Sequence, residues 1–137
     1  MIENEIIFQE LKINPSYGIT IKTVYYIIEN NRPRVMDKFR SALTPDEQDD
    51  VKSLISRMAT RENFQSPKIK WHLKKYDYGE IRPLPHRFFF FQYGNNIIFF
   101  DYIEKKTPSL PDKIYKNINK EKIRYESEFE RYMQRNR

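Results

Sequence analysis

The sequence predicts a single α+β domain in which an antiparallel sheet of about four strands combines with an N-terminal helical hairpin and a C-terminal helix. Three observations support this class. Several runs are rich in β-branched and aromatic residues, other segments carry apolar residues at helical spacing, and the length of 137 residues suits one domain. We therefore treat residues 1–137 as one domain and expect residues 1–20, which have little pattern, to be an N-terminal extension.

The first half of the chain predicts one strand followed by two helices. Residues 19–29 (ITIKTVYYIIE) are typical of a strand, and the NNRPR segment ends it. Residues 34–43 have apolar residues near helical spacing. A second helix begins at Thr44, which can cap it, and Glu47 completes a capping box. The short connection predicts a helical hairpin.

The second half predicts strands and then a long helix. Gly94-Asn95-Asn96 tolerates positive φ, so the two strands around it are expected to form an antiparallel hairpin. Pro83 and Pro85 each lack an N–H donor and are expected at a strand end. The predicted strands span residues 68–77, 79–84, 86–93 and 96–103, and the helix spans 112–135.

Composition excludes several classes of site. The chain has no cysteine, which removes disulfides and thiolate ligands, and its two histidines are too few for a histidine-based metal site. No apolar run reaches the ~20 residues of a transmembrane helix, and the acidic start does not resemble a signal peptide. We expect a cytoplasmic protein without a cofactor, a metal or a membrane partner.

The positive charge lies in the second half of the chain. Residues 1–67 carry 9 Lys/Arg against 10 Asp/Glu, whereas residues 68–137 carry 16 against 9. A one-sided basic field attracts phosphate backbones or acidic proteins, although a solvated lysine-rich surface explains the same numbers.

The strand HRFFFFQY at 86–93 combines an apolar core with polar ends. Both of its faces carry phenylalanine, so we expect a central strand that is covered on both sides. A buried Arg87 needs a partner or an open cleft. Hairpin pairing is expected to bring Arg87 near Tyr102, with Lys105 and Lys106 at the same edge, where they suit phosphate binding.

The segment EIRPLPHRFFFFQYGNNIIFFDYIEKKTPSLP resembles the RelE/HigB-type toxins of bacterial and phage toxin–antitoxin pairs. The matching motifs are Ile81-Arg82, His86-Arg87, the apolar IIFFDYI strand, Lys105-Lys106-Thr107 and Pro111. With the upstream strand and helices, the resemblance covers roughly residues 20–125. Each motif is short, and the order of the elements carries most of the likeness.

The resemblance implies a metal-independent endoribonuclease that cleaves mRNA on the ribosome and is neutralised by a cognate antitoxin. In this chemistry the ribose 2′-OH attacks the adjacent phosphate, so the site must move protons and stabilise phosphorane charge. Arg87 then corresponds to the arginine at the scissile phosphate, and Lys105 and Lys106 to the basic pair that binds phosphate or stabilises charge. The alternative for these two lysines is that at least one is merely solvated. Arg87→Ala is expected to abolish toxicity and to leave the fold intact.

Each remaining candidate has a structural alternative. His86 is an acid or base, or it fills the strand end. Tyr102 stacks on a base or acts as an acid, or it packs in the core. Arg82 binds phosphate or joins an ion pair. Lys74 and Lys75 extend the RNA track or solubilise an edge strand.

Two further functions remain open. One is a non-enzymatic binder of the same fold, such as a gyrase inhibitor or an inactive relative. The other is a phage or mobile-element protein that binds an acidic partner. Burial of Arg87 in a salt bridge with Asp101 or Glu104 would favour the non-enzymatic binder. A homodimer and a toxin–antitoxin complex are both compatible with the sequence.

Overall fold

The computed structural model describes residues 4–136, which form a mixed sheet of six strands and three α-helices. The α+β class and the C-terminal helix are confirmed. The prediction of about four antiparallel strands with an N-terminal helical hairpin is wrong, because two strands precede the helices and one strand pair is parallel. The strands are β1 (Ile6–Leu11), β2 (Thr23–Glu29), β3 (Ile69–Lys70), β4 (Gly79–Ile81), β5 (His86–Tyr93) and β6 (Asn96–Glu104). The helices are α1 (Arg34–Ala42), α2 (Pro45–Thr60) and α3 (Asp112–Arg135).

The strand order is β1-β2-β6-β5-β4-β3. β2 runs parallel to β6, and every other neighbouring pair is antiparallel. The sequence pattern did not indicate this parallel pair, because the apolar composition of a strand does not specify its neighbour when a long stretch of chain intervenes. The β5–β6 hairpin formed as predicted, with Gly94 at a φ of 58° in its turn.

The segment expected to be an extension contributes an edge strand. β1 pairs along its whole length with β2, and Phe8 is buried. The ring of Phe8 packs edge-to-face on Phe129 of α3, with 4.9 Å between the ring centroids. Residues 6–11 therefore belong to the sheet, with Phe8 in the core, whereas Met1 to Glu3 lie outside the described residues.

The sheet carries a hydrophobic core on each face. On one face, α1 and α2 cover Val24, Phe88, Phe90, Ile97 and Phe99. On the other face, α3 covers a second set, which consists of Phe8, Ile27, Phe89, Phe91, Ile98 and Phe100. The alternation predicted for residues 86–93 is thus confirmed, and the four consecutive phenylalanines supply both cores.

The local signals placed the helices accurately. Thr44 caps α2 through its Oγ1, which accepts from the Glu47 N–H at 3.2 Å, and the Glu47 carboxylate accepts from the Thr44 N–H at 2.9 Å. The predicted capping box is confirmed.

Two predicted strands are much shorter than expected. Residues 71–78 form turns in place of a strand, and Pro83 follows the end of β4.

One prediction tests whether β1 is part of the folded domain. Phe8→Ala is expected to lower the free energy of unfolding by about 3 kcal/mol, because it leaves a cavity against Phe129. Gln9→Ala, on the exposed side of the same strand, is the control and is expected to change it by less than about 0.5 kcal/mol. Urea denaturation measures both. Equally small changes in the unfolding free energy of both variants would mean that β1 contributes little to the stability of the domain.

Candidate functional site

Most of the predicted site residues lie at one edge of the sheet, where β5 begins and β6 ends. His86 pairs with Glu104 and Arg87 with Ile103 across the hairpin, one residue beyond the expected register. The Lys105 N–H donates to the Pro85 carbonyl at 2.7 Å, so the basic pair follows directly beside the start of β5. Lys105 is half-buried and Lys106 is exposed.

His86 and Arg87 do not converge, because consecutive residues of a strand face opposite sides of the sheet. His86 reaches Glu47 of α2 and Tyr102, whereas Arg87 lies on the face that α3 covers, beside Glu80. The structure therefore brings together His86 with Tyr102, and Arg87 with Arg82, as two separate polar clusters.

The first cluster is a series of hydrogen bonds that joins Tyr102, His86 and Glu47, which we call the histidine relay. His86 Nδ1 lies 2.7 Å from Tyr102 Oη, and His86 Nε2 lies 3.2 Å from Glu47 Oε2. Burial raises the pKa of Tyr102 to about 12, so at neutral pH the phenol donates to Nδ1. The network then assigns the ring proton to Nε2, which donates to the carboxylate.

Glu47 is the solvent-facing end of the histidine relay. Its side chain is 34% exposed, whereas that of His86 is 3% exposed. The Thr44 N–H bond, followed by the nearby His86, holds the pKa of the Glu47 carboxyl below its usual range despite partial desolvation. Glu47 is therefore ionised at neutral pH. The sequence identified Glu47 as a helix cap, and its second role depends on packing that no local signal indicates.

The second cluster is the buried ion cluster of Glu80, Arg82 and Arg87. Glu80 and Arg87 are fully buried, with Arg87 Nη1 3.3 Å from Glu80 Oε1. Arg82 also donates to Glu80 Oε1, and Arg87 donates to the Thr107 carbonyl. The partner of Arg87 is thus Glu80, and neither Asp101 nor Glu104, which the sequence suggested. Glu80 and Arg82 are two residues apart, a spacing that would have indicated a shared strand face.

Arg82 keeps a limited contact with the surface. Its side chain is 19% exposed, and Nη2 lies 3.5 Å from the Tyr115 hydroxyl of α3. Of its two predicted roles, the ion pair is therefore present in the structure. Phosphate binding by Arg82 stays a prediction, because only a small part of the guanidinium reaches solvent.

The predicted RNA-track lysines lie away from this edge. Lys74 and Lys75 are exposed in the turn before β4, whereas Arg82 follows β4 at its other end. Lys75 Nζ is 3.8 Å from the Asp112 carboxylate, at the start of α3. The structure does not bring these two lysines together with the Lys105-Lys106 pair.

Arg34 is a further cation at the edge that the sequence did not single out. From the start of α1 it donates to Asp101 Oδ1 at 3.2 Å and to the Tyr102 carbonyl at 3.0 Å. Burial raises the pKa of Asp101, and the Tyr102 N–H and Arg34 offset part of that effect. Arg34 therefore ties α1 to the segment of β6 that carries Tyr102.

No metal-binding arrangement occurs in the part of the chain that the structure describes, where no three histidine or acidic side chains group around one point. Among residues 4–136, no helix combines the length and apolar composition that crossing a bilayer requires. In comparisons with known proteins, the chain matched no protein-family model and no curated protein.

The buried ion cluster changes the expectation for Arg87. Arg87→Ala removes the fully buried one of the two cations that bond Glu80 and leaves only Arg82, so we expect the free energy of unfolding to fall by about 3 kcal/mol or more. Arg131→Ala removes a surface ion pair to Glu128 and is expected to cost less than about 1 kcal/mol. Urea denaturation of both variants measures this difference. A change as small as that of Arg131→Ala would contradict a stabilising role for the buried pair of Arg87 with Glu80.

The histidine relay predicts an acid-sensitive contribution of Glu47 to stability. Because its pKa is lower in the folded state than its ordinary value of 4.5, ionised Glu47 stabilises the fold above that pH. The contribution is lost as the pH falls through the folded-state pKa. We expect the difference in unfolding free energy between the wild type and Glu47→Gln to be constant from about pH 7 to 5 and to shrink below. A difference that does not change down to about pH 3 would contradict this role.

Proposed function

We propose that this protein is the toxin of a toxin–antitoxin pair and a metal-independent endoribonuclease that cleaves mRNA, with the ribosome and a cognate antitoxin as its cytoplasmic partners. The observation that carries the proposal is the backbone bond from Lys105 to Pro85, which brings the start of the Lys105-Lys106 pair next to His86 of the histidine relay. Cations near the surface and a carboxylate that can accept and return a proton are what transesterification of RNA requires. The resemblance to RelE/HigB-type toxins supports the same activity.

Phosphate binding is the role of the two lysines. Among the described residues, neither has a carboxylate within ion-pairing distance, so their charge is available to a ligand. Lys105 is half-buried and held by its backbone bond to Pro85, which fixes its position relative to β5. Stabilisation of transition-state charge usually supplies most of the acceleration in phosphoryl chemistry, and removal of one such group costs about 10²–10³ in rate.

Proton transfer is the role of Glu47, which His86 positions. Glu47 is the accessible group, and the buried His86 lies behind it, with Nε2 3.2 Å from Glu47 Oε2. Glu47 therefore takes the proton from the 2′-OH on its carboxylate and gives it to the departing 5′-oxygen, while His86 Nε2–H donates to that carboxylate and orients it. Tyr102 holds the tautomer of His86 through Nδ1. Such general acid–base assistance contributes about 10²–10⁴ in rate. Since the lowered pKa of Glu47 makes it a weak base, most of the acceleration must come from the lysines.

Arg87 is a positioning residue in this proposal. It is fully buried and donates to the Thr107 carbonyl, one residue beyond Lys106. The guanidinium thus fixes the chain that carries both lysines without touching a substrate phosphate itself.

A second candidate is favoured by the complete burial of Arg87 in its pair with Glu80. If a phosphate-binding arginine is essential for cleavage, a protein with this arginine enclosed binds its target without cutting it. The protein would then be a non-enzymatic toxin-fold binder, such as a gyrase inhibitor or an inactive relative, that uses the same basic edge.

Induced expression in a bacterial host tests the proposal. We expect the wild type to arrest growth and to generate new mRNA 5′ ends, and Lys105→Ala/Lys106→Ala to reduce cleavage by at least about 100-fold. The matched control is Lys113→Ala/Lys120→Ala, which removes two exposed lysines from α3 and is expected to behave as the wild type.

The other outcomes separate the candidates. Growth arrest without new 5′ ends would support the non-enzymatic binder. Absence of arrest by folded protein at full expression would contradict the assignment as a toxin. An equal loss of cleavage in Lys113→Ala/Lys120→Ala would mean that the activity depends on the total charge of the protein and not on the Lys105-Lys106 pair.

A further inference from the structure

A groove of about 840 Å³ opens between α1, α2 and the chain that follows β1, and it is distinct from the Lys105-Lys106 edge. Its floor is formed by the sheet, through Tyr26 of β2, Phe88 of β5 and Phe99 of β6. Its walls carry mainly apolar side chains, among them Leu11, Ile13, Val35, Phe39 and Ile55.

The groove is continuous with an apolar surface along α2. Tyr17 lines its end, and Ile19 and Ile21 follow in the same loop, where they are 37%, 86% and 43% exposed, respectively. The Ile21 N–H donates to the Ala59 carbonyl at 2.8 Å, which holds this loop against the end of α2. Partly exposed apolar side chains that extend one groove are typical of a binding surface.

The rim of the groove is basic. Lys12, Arg40 and Lys52 line it together with a single carboxylate, Asp49, so the rim carries an excess of positive charge. The three cations are exposed, and in residues 4–136 none of them has an ion-pair partner. Lys52 Nζ lies 5.9 Å from the centre of the Phe39 ring, over the apolar wall. This arrangement favours a ligand with an apolar centre and acidic flanks.

The floor of the groove selects a helix over an extended segment. β2 is paired on both sides, with β1 and β6, and β5 is paired with β6 and β4. Within the described residues, the strands of the floor therefore have no free edge that could pair with a peptide backbone, and of the edge strand β1 only the last residue, Leu11, lines the groove. An occupant must satisfy its own N–H and C=O groups, as a helix does.

We propose that the groove binds an acidic amphipathic helix of a partner protein. Its apolar face, spaced i, i+3, i+4 and i+7, fills the groove, and its flanking carboxylates meet Lys12, Arg40 and Lys52. A second copy of this chain is a poor occupant, because the chain has a net charge of +6 and α3 carries more basic than acidic residues. The mostly aliphatic walls also favour a protein ligand over stacked nucleic-acid bases. Helix binding in the groove does not depend on RNA cleavage at the Lys105-Lys106 edge.

Titration of the full-length protein with designed peptides tests the proposal. The probe is a fluorescein-labelled helical peptide of about 18 residues with a leucine stripe and glutamate at the remaining positions. The controls are the same peptide with lysine in place of glutamate and a scrambled peptide without the stripe. We expect the acidic peptide alone to bind, with an affinity that weakens as salt is raised.

Charge reversal of the rim provides the matched variants. Arg40→Glu/Lys52→Glu, at exposed positions, is expected to weaken binding by about tenfold or more. Lys38→Glu, on the exposed side of α1, is the control and is expected to bind as the wild type. Circular dichroism verifies that each variant is folded.

Four results would overturn the proposal. The first two are that the acidic peptide does not bind, or that the scrambled peptide binds as tightly as the acidic one. The third is that Lys38→Glu weakens binding as much as Arg40→Glu/Lys52→Glu does. The fourth is that a single-stranded oligouridylate of about 12 nucleotides displaces the peptide, which would assign the groove to nucleic acid. Light scattering on the unlabelled protein adds one more test. A dimer that Arg40→Glu/Lys52→Glu dissociates would identify a second copy as the occupant.

Discussion

The structure depends on one antiparallel pair, β5 and β6, that is buried on both faces. Phe88 to Phe91 and Ile97 to Phe100 are at most 4% exposed, and their side chains alternate between the two cores. Burial of each such side chain contributes roughly 1.5–3 kcal/mol, so these side chains supply a large share of the apolar burial in the domain. A sheet that is apolar on both faces needs a cover on each, which explains why the helices divide between them.

A β-bulge in this pair determines which face of the sheet the polar side chain of Tyr102 occupies. Phe89 and Phe90 are consecutive in β5, but their partners in β6, Asp101 and Phe99, are separated by Phe100. The extra residue shifts the alternation, so Phe100 faces α3 while Tyr102 faces α1 and α2. Without the bulge, Tyr102 would lie on the other face from His86. The histidine relay is therefore a consequence of one inserted residue in the central hairpin.

The same alternation places the histidine relay and the buried ion cluster on opposite faces of the sheet. His86 and Arg87 are adjacent in sequence but lie on opposite faces, each with a carboxylate from a different element. The histidine relay opens to solvent through Glu47, whereas the ion cluster is closed around Glu80. Charge that a ligand can reach is thus supplied by residues beyond the strand ends and not by the buried arginine.

The sequence by itself determined the elements whose causes are local. The period of two in β5, the turn at Gly94, the capping box of α2 and the bounds of α3 each depend on residues within a few positions of one another. Tertiary structure alone decided the parallel contact of β2 with β6, the addition of β1 to the sheet, and the choice of Glu47 and Glu80 as partners. The physical reason is that each of these contacts joins segments whose own patterns are satisfied by several partners, and only the packing of the whole sheet selects one.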